Sequence, residues 1–243
     1  VLTEDLDIDG DCFELRNTDI LLDGNGHTIS GDGTGTGTFV EGGAEVRNLT
    51  VANFQRGYYI EHEFDEALTL ENAEVADNAA GITGSLKSNM NIRNSVLRDN
   101  EVGISGNEAF GITIIESTLR GNGSAVTTGD GNIMEVEDSA IENNDTGISA
   151  GVGTFTNNTF ENNGGYGLQL IGLIAPADFG PITIVGNNIL NNAGPGIEFT
   201  SGVGTVRENT ITNNESGIVI TGDFFAAGNL PPDYEITRNN IED

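Results

Sequence analysis

The sequence predicts an all-β solenoid of about ten coils, each built from three short parallel strands, and three observations carry that reading. The first is a repeat. Aligning Val46, Leu70, Ile92, Ile114, Val136, Phe155, Ile184, Val206 and Ile236 superimposes nine copies of one pattern, with starts 24, 22, 22, 22, 19, 29, 22 and 30 residues apart. Units of this period bury their apolar faces only against neighbouring units. The second is periodicity: apolar residues recur two apart, as at Met90 and Ile92, and no stretch keeps the 3.6-residue period of a helix. The third is a column of asparagines eight residues after each start, at Asn78, Asn100, Asn122, Asn144, Asn163, Asn192 and Asn214, with Phe54 in the first copy.

Each part of the repeat has its own cause. The apolar start makes the first strand, the apolar residue at plus five the second, and the Gly-Ile pair near plus eleven the third, as in IRNSVLRDNEVGI and VEDSAIENNDTGI. Asn, Asp and Gly separate them, which are the residues of tight turns. Stacked at ~4.8 Å per rung, about ten coils give a rod on the order of 45 Å long. Asparagine suits the plus-eight turn because it tolerates the left-handed conformation and its amide both donates and accepts, so these residues are expected to form a structural ladder along the rod. Of the N-x-S/T sequons at Asn48, Asn122, Asn144, Asn157 and Asn214, those in the ladder are expected to be poor glycan acceptors.

The repeats, together with LDGNGHTISG at Leu22 to Gly31, resemble the right-handed parallel β-helix family with NosD-like repeats, over residues 17 to 243. The resemblance implies a right-handed, single-stranded parallel β-helix solenoid. For function it implies several classes, since members include carbohydrate-active enzymes, surface proteins and a maturation factor for a copper enzyme. The expected organisation is a single domain over 1–243, with residues 1–16 as an N-terminal cap or first coil and the last coil truncated at 243. The chain opens on Val1 and stops within a repeat, as a piece of a longer protein would.

Composition narrows the partners. Nine Lys and Arg face 38 Asp and Glu, a formal net charge of −29, and Lys87 is the one lysine. Such repulsion is strong at low salt and largely screened at molar salt, where the Debye length is about 3 Å, so the balance points to a halophile. Nucleic acid is excluded as a partner for want of basic patches. No apolar run approaches a membrane span. Cys12 stands alone and reads as a small buried hydrophobe near the cap.

Long connections are expected after the Gly-Ile strand, at residues 30 to 44, 171 to 181 and 221 to 235, and in YYIEHEFDE at Tyr58 to Glu66. They carry Tyr58, Tyr59, Asp178, Phe179, Asp223, Phe224, Phe225 and Tyr234, aromatics beside carboxylates that suit sugar stacking and hydroxyl hydrogen bonds. On the sheet of template starts, Arg47, Glu71 and Arg93 fall on successive rungs and are expected to form an alternating ionic stack. At plus two, Glu116 and Asp138 replace Asn on adjacent rungs, with Glu135 and Glu137 nearby. Carboxylates so placed are the residue type of a retaining glycosidase pair or of a Ca2+ site. The residues weighed for catalysis are Glu71, Arg93, Glu116, Glu137 and Asp138, and those weighed for Ca2+ are Glu116 and Asp138. No cofactor is called for otherwise. Two histidines, His27 and His62, leave little for a copper site, and GNGH at Gly24 to His27 is the nearest approach to a polygalacturonase-like motif.

The expected function is an extracellular or cell-surface structural and recognition module contacting polysaccharide or a surface protein. A polysaccharide lyase or glycoside hydrolase and a calcium-stabilised adhesin module are the alternatives.

Overall fold

A computed structural model describes residues 1–61, 67–85, 89–106, 111–129, 132–171, 182–200, 204–221 and 234–242. The described residues form three parallel sheets of 11, 10 and 10 strands in which every third strand is a neighbour. One coil shows the plan: Ile133–Glu137 lies in sheet I, Ala140–Glu142 in sheet II and Thr146–Ala150 in sheet III. The template starts occupy sheet I, in unbroken register from Ile20 to Ala44 and so on to Thr237. Segment 1–16, expected to cap the rod, contributes the first rungs of sheets II and III, Leu6–Asp7 and Phe13–Leu15. Its Leu2, Leu6, Ile8, Cys12 and Phe13 pack partly buried on the end of the core, and burial raises the Cys12 thiol pKa.

Strand alternation sends one set of side chains inward. Val46, Leu70, Ile92, Ile114 and Val136 of sheet I meet Val51, Val75, Leu97, Leu119 and Ile141 of sheet II, and Ile82, Ile104, Val126 and Ile148 of sheet III in a single fully buried column. Glycine before the sheet III apolar residue has a steric cause: a Cβ at Gly103 would stand 2.5 Å from the Ala125 carbonyl oxygen of the next rung.

The asparagine ladder forms at the II-to-III turn. Asn122 illustrates its chemistry: its Oδ1 accepts from the Asn100 backbone N–H at 3.1 Å, while its Nδ2 donates to Leu97 O at 3.0 Å and to Asn144 Oδ1 at 2.9 Å. The same bonds link Asn78, Asn100, Asn144, Asn163, Asn192 and Asn214. The left-handed residue, however, is the one before the ladder. Asp77, Asp99, Asn143, Asn162, Asn191 and Asn213 have φ of 55 to 57°, which turns the following amide inward. Phe54 begins the column, its backbone N–H held by Asn78 Oδ1 at 2.9 Å.

A second ladder, not expected from the sequence, runs through the I-to-II turn. Asn48, Asn72, Asn94, Glu116, Asp138 and Asn157 sit there at φ of 48 to 57°, and the next residue of each turn points in. Ser95, Ser117 and Ser139 accept the backbone N–H of the preceding rung, at 3.1 to 3.2 Å. From Asn158 onward asparagine takes over: Asn158 Nδ2 reaches Val136 O of the previous rung at 2.8 Å and Asn187 Oδ1 at 3.1 Å.

Candidate functional site

Five of the expected aromatic and acidic groups, Asp178, Phe179, Asp223, Phe224 and Phe225, lie outside the described residues, as does the side chain of Tyr234, whose backbone pairs with Gly204. Segment 30 to 44 is not a long connection: it contains the sheet III strand Thr36–Val40. The YYIEHEFDE segment likewise begins as strand Arg56–Glu61. Tyr58 is a correction. It pairs with Ile82, occupies the inward column and is 0% exposed, so it cannot touch a ligand on the outer face. Tyr59 faces outward and is half-buried.

Sheet I does not carry the expected ionic stack. Arg47 pairs with Asp23 of the preceding rung at 2.9 Å and with Glu45 at 3.7 Å, and no ion pair joins it to Glu71 or joins Glu71 to Arg93. Asp23 also accepts from the Asn25 N–H, the largest cause of its lowered pKa, ahead of Asn48 and Arg47. Side chains can choose the better-held partner because the rungs on both sides are equally near. Glu116 and Asp138 are exposed at left-handed turn positions, their backbone N–H groups bonded to Glu137 O and Thr156 O. Glu135 and Glu137 lie on the adjoining strand Ile133–Glu137. Among the described residues no three His, Cys, Asp or Glu side chains converge as a metal site. A depression of about 420 Å³ at the N-terminal end of sheet I, lined by Asp19, Leu21, Glu45 and Thr69, brings two acids and no cation. His27 Nδ1 lies 3.2 Å from Asp5 Oδ1, and Asp5 is held below its usual pKa first by the Thr28 N–H and then by His27.

The outer face of sheet III is different in kind. Its central column runs, rung by rung, Glu14, Phe39, Tyr59, Thr83, Ser105, Thr127, Ser149, Gln169 and Glu198. The Phe39 and Tyr59 rings pack at 5.7 Å between centroids, tilted by 50°. Arg16 lies over Phe39 at 5.1 Å and Arg56 over Tyr59 at 4.5 Å, a cation–π arrangement that fixes the rings. Arg16 is also paired with Glu14 and Glu41, whereas Arg56 makes no ion pair among the described residues and its buried Nε lacks a hydrogen-bond partner. Beyond the rings the column is uncharged as far as Gln169. Among the described residues its hydroxyls touch one another sparingly: Ser105 donates to Thr83 at 3.3 Å, and Ser149, which is buried, donates to Gln169 Oε1 at 3.1 Å, which leaves capacity at Thr83, Ser105 and Thr127. The neighbouring column adds Ala80, Val102, Ser124 and Thr146, with no charge either. A signal for this face was present thirteen residues after the starts, where Tyr59, Thr83, Ser105, Thr127 and Ser149 fall in one column.

Comparison with known proteins agrees with this architecture. The profile of the family described as "Right handed beta helix region" matches residues 27–173 and 153–241. No curated protein matches the chain in sequence. Among solved structures, a PL6 family alginate lyase superimposes with a TM-score of 0.54 at 13% identity, over 99% of this chain and 41% of the lyase chain. The catalytic domain of a GH87 α-1,3-glucanase gives 0.48 at 14% identity, over 98% and 64%. The chain thus spans less than half of that lyase.

Proposed function

This chain belongs to the right-handed β-helix family, and we propose that it is a rigid polysaccharide-binding module that presents its ligand surface on the outer face of sheet III, at the surface of a halophile. The observation that carries this reading is the Phe39–Tyr59 pair, 5.7 Å between centroids, on an outer face that continues as hydroxyls and amides. Aromatic rings offer the flat apolar surface on which the C–H face of a pyranose stacks, and the hydroxyls beyond them match sugar hydroxyls. Arg16 and Arg56 hold the rings, so little side-chain freedom is lost when a sugar arrives. The net charge of −29 suits molar salt and surface exposure.

Affinity electrophoresis in molar salt against a panel of neutral and acidic polysaccharides tests the reading. At least one glycan is expected to retard the protein, and Tyr59→Ala is expected to weaken that retardation about tenfold, equivalent to ~1.4 kcal/mol. Equal retardation of the variant would refute it.

A second reading, a polysaccharide lyase, is favoured by Arg93. It stands beside Glu71 on sheet I with no ion-pair partner among the described residues, a cation next to a base as β-elimination from a uronate requires. Appearance of unsaturated uronate absorbance from an acidic polysaccharide, lost in Arg93→Gln, would establish it.

A further inference from the structure

The sheet III face carries more than an aromatic platform, and the geometry points to its ligand: an uncharged, extended polysaccharide lying parallel to the rod axis, with about one sugar per rung. This inference rests on the polysaccharide-binding reading and specifies its ligand class and pose.

Three features of the face lead there. The first is charge. In a chain with 38 acids, sheets I and II place Glu71, Glu135, Glu137, Glu74, Glu142 and Glu161 on their strands, whereas the outer columns of sheet III from Ala80 to Gln169 hold none among the described residues, Glu14 and Glu61 lying on earlier rungs. The strand geometry is the same in all three sheets, so the fold does not impose this segregation. An anionic glycan would meet the field of −29 charges, and a neutral one would not.

The second is spacing. The column from Tyr59 to Gln169 is in continuous register over five steps, about 24 Å at ~4.8 Å per rung. That step is close to the length of one pyranose in an extended chain. Each sugar of such a chain therefore meets one rung, and successive sugars meet equivalent groups. A coiled glycan drifts out of phase within a few units.

The third is unspent hydrogen-bonding capacity. A hydroxyl offers one donor and two lone pairs, and Thr127, exposed midway along the column, makes no side-chain hydrogen bond among the described residues that would occupy them. Gln169 closes the run by donating to Glu198 Oε2 at 2.9 Å, which directs its Oε1 toward Ser149. The track is thus bounded at one end by the rings, with Glu14 in the rung before Phe39, and at the other by Glu198.

Isothermal titration in molar salt with three oligosaccharide series tests the pose: β-1,4-linked gluco-oligosaccharides, which extend, malto-oligosaccharides, which coil, and oligogalacturonates, which are extended and anionic. The expected result is an affinity that rises about tenfold from trimer to hexamer in the first series alone. Thr127→Glu, folded by circular dichroism, is expected to remove that gain. Tyr59→Ala is expected to lower affinity at every length. Affinity independent of length, tighter binding of the oligogalacturonates, or a hexamer indifferent to Thr127→Glu would each overturn the pose while leaving polysaccharide binding intact. Binding of no series, with Tyr59→Ala silent toward every glycan, would overturn the pose and the function together.

Discussion

Sheets I and III share the same coils, the same register and the same core, yet they meet solvent in opposite ways. Along sheet I the outward pairs read Glu45 and Arg47, Thr69 and Glu71, Asn91 and Arg93, Thr113 and Ile115, Glu135 and Glu137; along sheet III, at matching rungs, the central column reads Tyr59, Thr83, Ser105, Thr127 and the buried Ser149, with Glu61 beside Tyr59 on the first of them. A parallel strand accepts either set, since only the inward residues are fixed by packing. The difference therefore reports what each face does. Sheet I holds charges singly or in exposed pairs, each worth about 0 to 1 kcal/mol. Sheet III forgoes charge altogether along its middle, at the cost of the solubility that charge would bring, which is the pattern of a surface kept for a neutral partner.

The largest test of this contrast is salt. With −29 charges carried mostly outside sheet III, stability is expected to rise by several kcal/mol between low and molar KCl, because screening relieves repulsion among the exposed carboxylates. Neutralising sheet I with Glu135→Gln and Glu137→Gln should raise the low-salt melting temperature and leave the molar-salt value unchanged. Thr127→Glu on sheet III should lower the low-salt value. A melting temperature flat across the salt range, read by circular dichroism, would show that the charge on the outer faces is indifferent to folding.

A smaller effect separates the turns that flank sheet II. Asn144→Ala removes the acceptor of two bonds from Asn122, both 2.9 Å, and the donor to Leu119 O, so buried groups in two rungs go unpaired. The expected loss is about 1 to 3 kcal/mol. Ser117→Ala at the I-to-II turn removes one accepted bond, from the Ser95 N–H at 3.2 Å, and a local bond to Ile115 O. It should cost about 1 kcal/mol. Chemical denaturation of both variants at fixed salt ranks them, and a larger loss at Ser117 would reverse the assignment of the asparagine column as the stronger tie.

How much of this was legible follows from what repeats. Asn100, Asn122 and Asn144 keep one identity down a column, so their ladder could be read directly. Ser95, Ser117 and Ser139 give way to Asn158 and Asn187, and a column that changes residue type does not announce a shared role. The left-handed positions were misplaced by one residue because Asp99 and Asn100 are both turn formers, and only the backbone tells which one turns inward. The sheet III face is harder to read for a related reason: acids and long connections stand out in a sequence, whereas this face is distinguished by what it lacks. Tyr59 was named with Tyr58 as one pair, although alternation puts adjacent strand residues on opposite faces.

That adjacent pair supplies the smallest and sharpest test. Tyr58 fills the inward column where Ile82 and Ile104 stand in the next rungs, and its Oη is buried without a hydrogen-bond partner. Burial alone pushes its hydroxyl pKa well above the tyrosine range. A buried hydroxyl with nothing to bind is a desolvation penalty, so Tyr58→Phe should stabilise the rod by up to about 1 kcal/mol and leave glycan binding unchanged. Tyr59→Phe should change stability by less than about 0.5 kcal/mol, as for an outward substitution that keeps the ring. Denaturation midpoints of the two variants decide the matter. If Tyr58→Phe is the destabilising one, the hydroxyl has a partner in solution and the interior of sheet III is wetter than its side chains imply.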